Sequence, residues 1–382
     1  IIFLWVARMI MAGFEFRGEK PFSDVFFNGI IRDLQGRKMS KSLGNSPDPL
    51  DLIAKYGADG LRFGLMRTAP HGQDIRFDEK QIEEGRNFAN KLWNAFRFRQ
   101  LQGPRVTAKP SLPLSPYSTC ILGLLNAAID RIERGYSDYL FTDVAQTIYE
   151  FFWSDFCDCY LEAAKTELQS ENPEVKGGCL WVLDHVLSAV LRLLHPFMPH
   201  LTEELWHRME YGSGSIQFAG LSDLRAELNL DATKSDFADM VYRATSQVRN
   251  LRAEYRIPSN KRVRMILRPT VEGDLAVFAS LAGAEPLQVD PTYEAPRGVP
   301  VVLTALGQVF LPLEGLVDLQ AEKDRLTKEI AKLESELETV RTKLANANFV
   351  NRAPAAVVEE HRQRERDFNS RLEQLKERAA GL

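Results

Sequence analysis

Between residues 79 and 225 apolar side chains recur three and four apart, in runs at 88–98, 121–134, 142–168 and 180–194. That is the period of helices buried along one face. Loops at 103–116 and 169–178 separate the runs, so this stretch reads as an antiparallel helical bundle. Residues 1–78 mix patterns. The first 13 residues are apolar except for Arg8, which suggests a buried helix and a chain that begins inside a domain. They are too short to cross a bilayer and lack the basic start of a signal peptide. A β-prone run at 25–31 leads into a turn at 34–37, and Pro47-Asp48-Pro49 opens a helix at 50–56 that Gly57 stops. Residues 226–315 predict a small α/β module, with a helix at 238–255, a strand at 262–267, a short helix near 273–281 and strands near 301–305 and 308–313.

The last stretch, 316–382, carries two apolar seams. Leu319, Lys323, Leu326, Ile330, Leu333, Leu337, Val340 and Leu344 form one; Val358, His361, Glu365, Phe368, Leu372, Leu375, Ala379 and Leu382 form the other. Residues 346–354 break the helix between them. Each stripe needs a partner, and the nearest is the other half, so an antiparallel coiled-coil hairpin is expected to project from the rest. The fold class is thus mainly α with α/β parts, in four regions: 1–78, 79–225, 226–315 and 316–382.

With 382 residues the chain is too long for one ordinary domain. A net charge of −4 gives no global attraction to nucleic acid, so any such binding rests on local patches. Four cysteines fit a reducing, cytoplasmic compartment. Cys157-x-Cys159 has no second cluster to complete a metal site, and no metal site is expected.

Two stretches read as nucleic-acid surface. No acid occurs from 85 to 129, where Arg86, Lys91, Arg97, Arg99, Arg105 and Lys109 lie. The second holds Arg243, Arg249, Arg252, Arg256, Lys261, Arg262, Arg264 and Arg268, with Glu254 as its one acid. Such side chains contact phosphates and give affinity rather than base specificity. The aromatic residues interleaved with the first set (Phe88, Trp93, Phe96, Phe98) read as core. On the hairpin, Arg341, Arg352, Arg362 and Arg364 extend the basic surface. His195 and His200 flank a helix start beside Thr202 and read as structural.

The sharpest chemistry lies in Lys38-Met39-Ser40-Lys41-Ser42, a donor-rich loop after a strand and a glycine turn. A lysine ammonium set against a leaving pyrophosphate stabilises charge that grows in the transition state. Continued by Leu43-Gly44-Asn45, the pentapeptide resembles the ATP loop of Rossmann-type aminoacyl-tRNA synthetases. Residues 1–10 resemble the helix entering the second Rossmann half, 57–63 the stem-contact segment, and 90–94 and 195–206 the anticodon-binding bundle. The terminal hairpin, with Asn348-Phe349-Val350 and Ala353-Pro354, resembles the arm of the valyl members.

This resemblance implies a Rossmann catalytic end at 1–78, an anticodon-binding domain at 79–225 and a tRNA-binding arm at 316–382. It implies ATP with Mg2+, L-valine and tRNA(Val) as ligands of a cytoplasmic, membrane-free, monomeric enzyme. Lys41 and Lys38 would be catalytic. Gly29, Ile30, Lys38, Met39, Ser40, Lys41 and Ser42 would contact ATP, and Trp5 would border the amino-acid pocket. No His-x-Gly-His motif occurs in the chain and there is no room for an editing domain, so the fragment alone is expected to be inactive. An isoleucyl or leucyl fragment, or a non-catalytic tRNA-binding module, remain as alternatives.

Overall fold

In the computed structural model, residues 1–69, 71–110, 113–225, 232–296, 299–312, 319–345 and 355–381 are described. They fall into two compact units, Ile1–Ser235 and Asp236–Leu382.

The first unit is built on capped helices. Its opening helix α1 (Ala7–Arg17) follows a wider π-type turn, Ile2–Val6. Strand β1 (Ile31–Arg32) pairs in parallel with β2 (Ile75–Arg76). Between them lie α2 (Pro49–Tyr56) and α3 (Ala58–Thr68). The bundle follows: α4 (Glu79–Gln100), α5 (Pro116–Ser137), α6 (Phe141–Glu150), α7 (Leu161–Leu168), α8 (Pro173–Leu194) and α9 (Pro199–Arg208). Asp48, Asp78, Ser115 and Asn172 cap α2, α4, α5 and α8, each accepting a first-turn backbone N–H. Helix α8 is long and apolar enough to span a membrane, but its residues 178–194 are buried except Trp181 and His185, which makes it the bundle's core helix.

Helices α3 and α4 touch backbone to backbone. A Cβ on Gly85 would stand 2.2 Å from the Gly60 carbonyl oxygen, and one on Gly64 would stand 2.4 Å from that of Gln81. Only glycine permits that approach. It brings Phe63 and Phe88 into a stack with centroids 4.6 Å apart, both fully buried. Asp59 on α3 accepts the Leu201 N–H at 2.6 Å, at the start of α9. Arg62 donates to the carbonyls of Phe197 (3.2 Å) and Pro196 (3.0 Å). The region before the bundle is thereby bonded to it.

The second unit holds the α/β module and the hairpin. Helix α10 (Ala232–Glu254) buries Ala238, Val241, Ala244, Val248 and Leu251, a stripe at helical period. Strands β3 (Val263–Pro269), β4 (Ala284–Val289), β5 (Val301–Thr304) and β6 (Gly307–Phe310) form a sheet of order β4-β3-β6-β5. Helix α11 (Ala276–Ala282) makes the crossover from β3 to its parallel partner β4. In the hairpin, α12 (Leu319–Ala345) meets α13 (Ala355–Gly381) through Arg341–Glu365 (3.0 Å), Glu334–Lys376 (2.7 Å) and Glu329–Arg371 (3.3 Å). Numbers fall along one helix as they rise along the other, so the pair is antiparallel. Leu333, Leu337, Val340 and Val358 are buried at the seam.

Several expectations change. The opening run is not a buried helix: α1 and the turn before it bury no residue, and Phe3 is 89% exposed. Hydrophobicity there demands cover, and no described element of this chain supplies it. Of the β-prone stretch 25–31 only Ile31 enters a strand, because the partner strand offers just Ile75 and Arg76. Strand β4 is an addition to the expected elements. Pro286 argues against a strand, yet β4 lies at the sheet edge, where a missing N–H is tolerated. The single helix expected over 142–168 is α6 and α7 joined by a ten-residue π-type stretch, Phe151–Tyr160.

That stretch holds a titratable liability. Asp155 is pushed up to about 6, first by burial and then by the Glu150 charge, with Arg131 opposing. A carboxyl raised in the folded state contributes stability below its unfolded value near 4, lost as pH rises through about 6. Asp155→Asn should therefore stabilise the fold by about 1–2 kcal/mol at pH 7.5, after allowance for solvent contact, and hardly at all near pH 4. Chemical denaturation across that range would show it; a gain independent of pH would count against it.

Candidate functional site

The Lys38–Ser42 loop stands on a fixed base. At the base, Asp74 accepts the Ile30 N–H at 2.9 Å and pairs with Arg32. Gly29 lies so close to the Gln73 carbonyl that a Cβ would fall 1.8 Å from its oxygen. At the neck, buried Asp33 accepts the Arg37 N–H (2.8 Å), the Arg37 Nε (2.7 Å) and the Asn45 Nδ2 (2.9 Å). The Asn45 amide and both Arg37 contacts hold the Asp33 carboxyl down at about 2, against its burial. Asn45 also accepts the Ser40 N–H at 3.0 Å and donates to the Lys38 carbonyl at 3.4 Å.

Above the neck, Ser40 caps a short 3-10 turn, Lys41–Leu43, and its hydroxyl lies 3.1 Å from that of Ser42. Gly44 closes the turn with φ at 64°. Lys38, Lys41 and Ser42 are exposed; Met39 and Ser40 are half-buried. Among the described residues, neither lysine ammonium has an ion-pair partner. Two unpaired cations and two hydroxyls on an anchored loop can receive a polyphosphate.

The other expected positions divide. Gly29 and Ile30 lie at the loop base, joined to it through β1. Trp5 is 53% exposed, with the Arg8 guanidinium 4.7 Å from its ring centre, and it is not brought to the loop by any described contact. Arg97 is exposed beside Trp93, Gln100 and Arg208 around a cavity of about 250 Å³. Arg86 pairs with Glu83 at 3.1 Å, and Lys91 with Asp158 at 2.8 Å over the Trp153 ring.

Two expected contacts are corrected. Arg99 is fully buried and paired with Asp184 at 2.6 Å, so it cannot face a nucleic acid. Arg252 is 4% exposed and donates to the carbonyls of Ala282, Pro258 (2.8 Å) and Lys261 (2.6 Å). Acceptors inside offset the cost of taking each guanidinium out of water. Arg249 is exposed, though its guanidinium donates to the Leu281 carbonyl at 3.1 Å and 3.2 Å. Arg256 is exposed.

On the hairpin, Arg341 and Arg362 pair with Glu365 and Glu359, and Arg364 lies 5.7 Å from the Phe368 ring centre. These are surface pairs of little energy, open to exchange for phosphate. Arg352 lies outside the described residues. Cys120, Cys157 and Cys179 are buried and form no disulfide, and Cys157 is pushed up to about 12 by burial. Sequence reasoning missed Asp33, and it held Asn45, Asp59 and Arg62 only inside resembling segments, with no role of their own. Asp33 carried one signal: an aspartate at the start of a glycine turn, where its side chain can bond the backbone ahead.

Residues 1–78 match the family model described as tRNA synthetases class I (I, L, M and V), and 119–267 match the anticodon-binding domain of tRNA ligase. Residues 318–382 match the valyl tRNA synthetase tRNA binding arm. These matches tie separate stretches of this chain to the class I aminoacyl-tRNA synthetases. Within them it is homologous along its length to valine–tRNA ligases and corresponds to their C-terminal part. It is 38% identical over 396 residues to the enzyme of Oceanobacillus iheyensis and 41% identical over 397 residues to that of Carboxydothermus hydrogenoformans. Each alignment covers 100% of this chain and 44% of the relative, so the chain spans under half the length of the curated relatives it matches. Among solved structures, a LeuRS of Agrobacterium radiobacter in a LeuRS–tRNA–LeuAMS complex aligns with TM-score 0.42 and 20% identity, over 59% of this chain and 27% of that one.

Proposed function

We propose that this chain is the C-terminal portion of a cytoplasmic, monomeric valine–tRNA ligase, which joins valine to ATP as valyl-adenylate and passes the valyl group to tRNA(Val). One observation carries the reading. In a chain that aligns end to end with valine–tRNA ligases, the only exposed pair of unpartnered lysines on an anchored hydroxyl-bearing loop, among the described residues, is Lys38 and Lys41.

ATP is the substrate that this loop receives, and its β- and γ-phosphates lie against Lys38 and Lys41. Mg2+ travels with the polyphosphate, whose oxygens suit it better than a protein cage. Residues 1–78 then serve as the catalytic end, 79–225 as the anticodon-binding bundle, 226–315 as a small α/β module and 316–382 as a coiled-coil arm. Phosphates of the tRNA meet Arg86, Lys91 and Arg97 on the bundle, Arg249 and Arg256 on the module, and Arg341, Arg352, Arg362 and Arg364 on the arm. Trp5 borders the valine pocket.

The isolated chain should bind tRNA(Val) yet show no valine-dependent pyrophosphate exchange, while the full-length protein should prefer valine to isoleucine and leucine. Removing 316–382 should weaken tRNA binding about tenfold and flatten its salt dependence, by roughly one in slope for each phosphate that is no longer neutralised. Filter binding between 50 and 200 mM salt measures both. Full-length protein that activates isoleucine or leucine best, or an arm deletion with no effect on either quantity, would refute the reading.

A further inference from the structure

We infer that Asp33 and Asn45 act as positioning residues, a carboxylate–amide clamp at the neck of the loop that sets where Lys41 stands for adenylyl transfer, in which pyrophosphate leaves; this rests on the function proposed above. The two residues are twelve apart and enclose the whole lysine-bearing segment, and their side chains meet at 2.9 Å. Asp33 is 7% exposed beside a loop whose lysines are open to water. A carboxylate withdrawn this far is retained only where its lone pairs are filled, and here each donor belongs to the loop. Arg37 closes the turn that leads into it. Asn45 joins its two limbs, because the same amide holds the Lys38 carbonyl and the Ser40 N–H.

The clamp thus fixes backbone on the N-terminal side of Lys41 while touching neither ammonium. Beyond Lys41, the 3-10 turn and Gly44 return the chain to Asn45. Both side chains direct their polar atoms to the loop itself, so their effect on chemistry runs through the placement of Lys41. A displacement of about 1 Å at a reacting group can cost up to roughly a hundredfold in rate.

The test uses the full-length protein with Asp33→Asn, Asn45→Asp and the two together. Each single change breaks the pair: Asp33→Asn sets two amide nitrogens or a weaker contact at the neck, and Asn45→Asp sets two carboxylates face to face. The double change exchanges donor and acceptor and restores one carboxylate–amide contact, with the Ser40 N–H still accepted at position 45, while the Arg37 Nε and the Lys38 carbonyl lose their partners. Two quantities are measured, valine-dependent pyrophosphate exchange and the rate of tryptic cleavage after Lys38 and Lys41.

Each single variant should lower kcat by about tenfold or more with the valine KM within about twofold. Loop cleavage should quicken several-fold as the neck opens locally. The double variant should recover part of both, with every variant still melting in one cooperative transition. Unaltered cleavage in the single variants, or no recovery in the double, overturns the clamp. If the unmodified protein shows no valine-dependent exchange but cleavage responds as described, the clamp stands and the proposed function falls.

Discussion

Lys41→Ala in the full-length enzyme is expected to slow valyl-adenylate formation roughly a hundredfold, with the KM for valine within about twofold. Lys41 starts the short turn above the neck, and its exposed ammonium has no ion-pair partner among the described residues. It is therefore free to follow negative charge. In the proposed reaction the negative charge on the β- and γ-phosphates grows as the bond to the α-phosphate breaks, so the contact would strengthen in the transition state and appear in kcat. Lys38 enters the loop one step earlier, bridged to Arg32 through the backbone, and Lys38→Ala should cost less. Lys41→Arg should recover only part, because a planar fork does not reproduce a point charge at one site. Single-turnover and pyrophosphate-exchange rates decide the matter. Exchange kinetics identical to the parent would end the assignment.

Arg99→Ala is expected to destabilise the first unit by about 3–5 kcal/mol, through the break-up of a buried ion pair rather than of a nucleic-acid contact. Arg99 donates to the Gly103 carbonyl (3.0 Å), the Pro104 carbonyl (2.9 Å) and Asp184 (2.6 Å). Asp184 also accepts the Val106 N–H at 2.8 Å and the Tyr211 hydroxyl at 3.2 Å. Truncation would leave a 3%-exposed carboxylate without its countercharge and release the loop after α4. The melting temperature should drop on the order of 10 °C. Arg97→Ala, two residues away on the exposed face, should move stability by no more than about 0.5 kcal/mol and weaken tRNA binding instead. Calorimetry and tRNA titration on the pair separate the two roles. An Arg99→Ala protein that melts like its parent and binds tRNA more weakly would return Arg99 to the nucleic-acid surface.

The contrast between Arg97 and Arg99 shows how far sequence reasoning reaches. Both sit in the acid-free run, and nothing local to that run tells them apart. Asp184, which claims Arg99, is 85 residues away. Arg252 is likewise legible as a cation but not as the donor to three carbonyls from other segments. The lysine loop is legible whole because its chemistry lies in five consecutive side chains. Its neck is not, since Asp33 and Asn45 are ordinary polar residues until the chain folds back and puts them 2.9 Å apart.

What the sequence determined by itself is what short-range physics encodes. Helical periods placed the bundle helices, the module's main helix and the hairpin, and turn residues marked where α2 starts and stops, because those signals act within a few residues. Two facing seams predicted the antiparallel pair of α12 and α13. Tertiary structure alone decided which arginines turn inward, which fragment of a β-prone run finds a strand partner, and that an edge position lets Pro286 stand in β4. It also left the opening apolar helix uncovered. Each of those outcomes depends on a partner far along the chain, or on the lack of one among its described residues, and a residue's own identity carries no record of its distant neighbours.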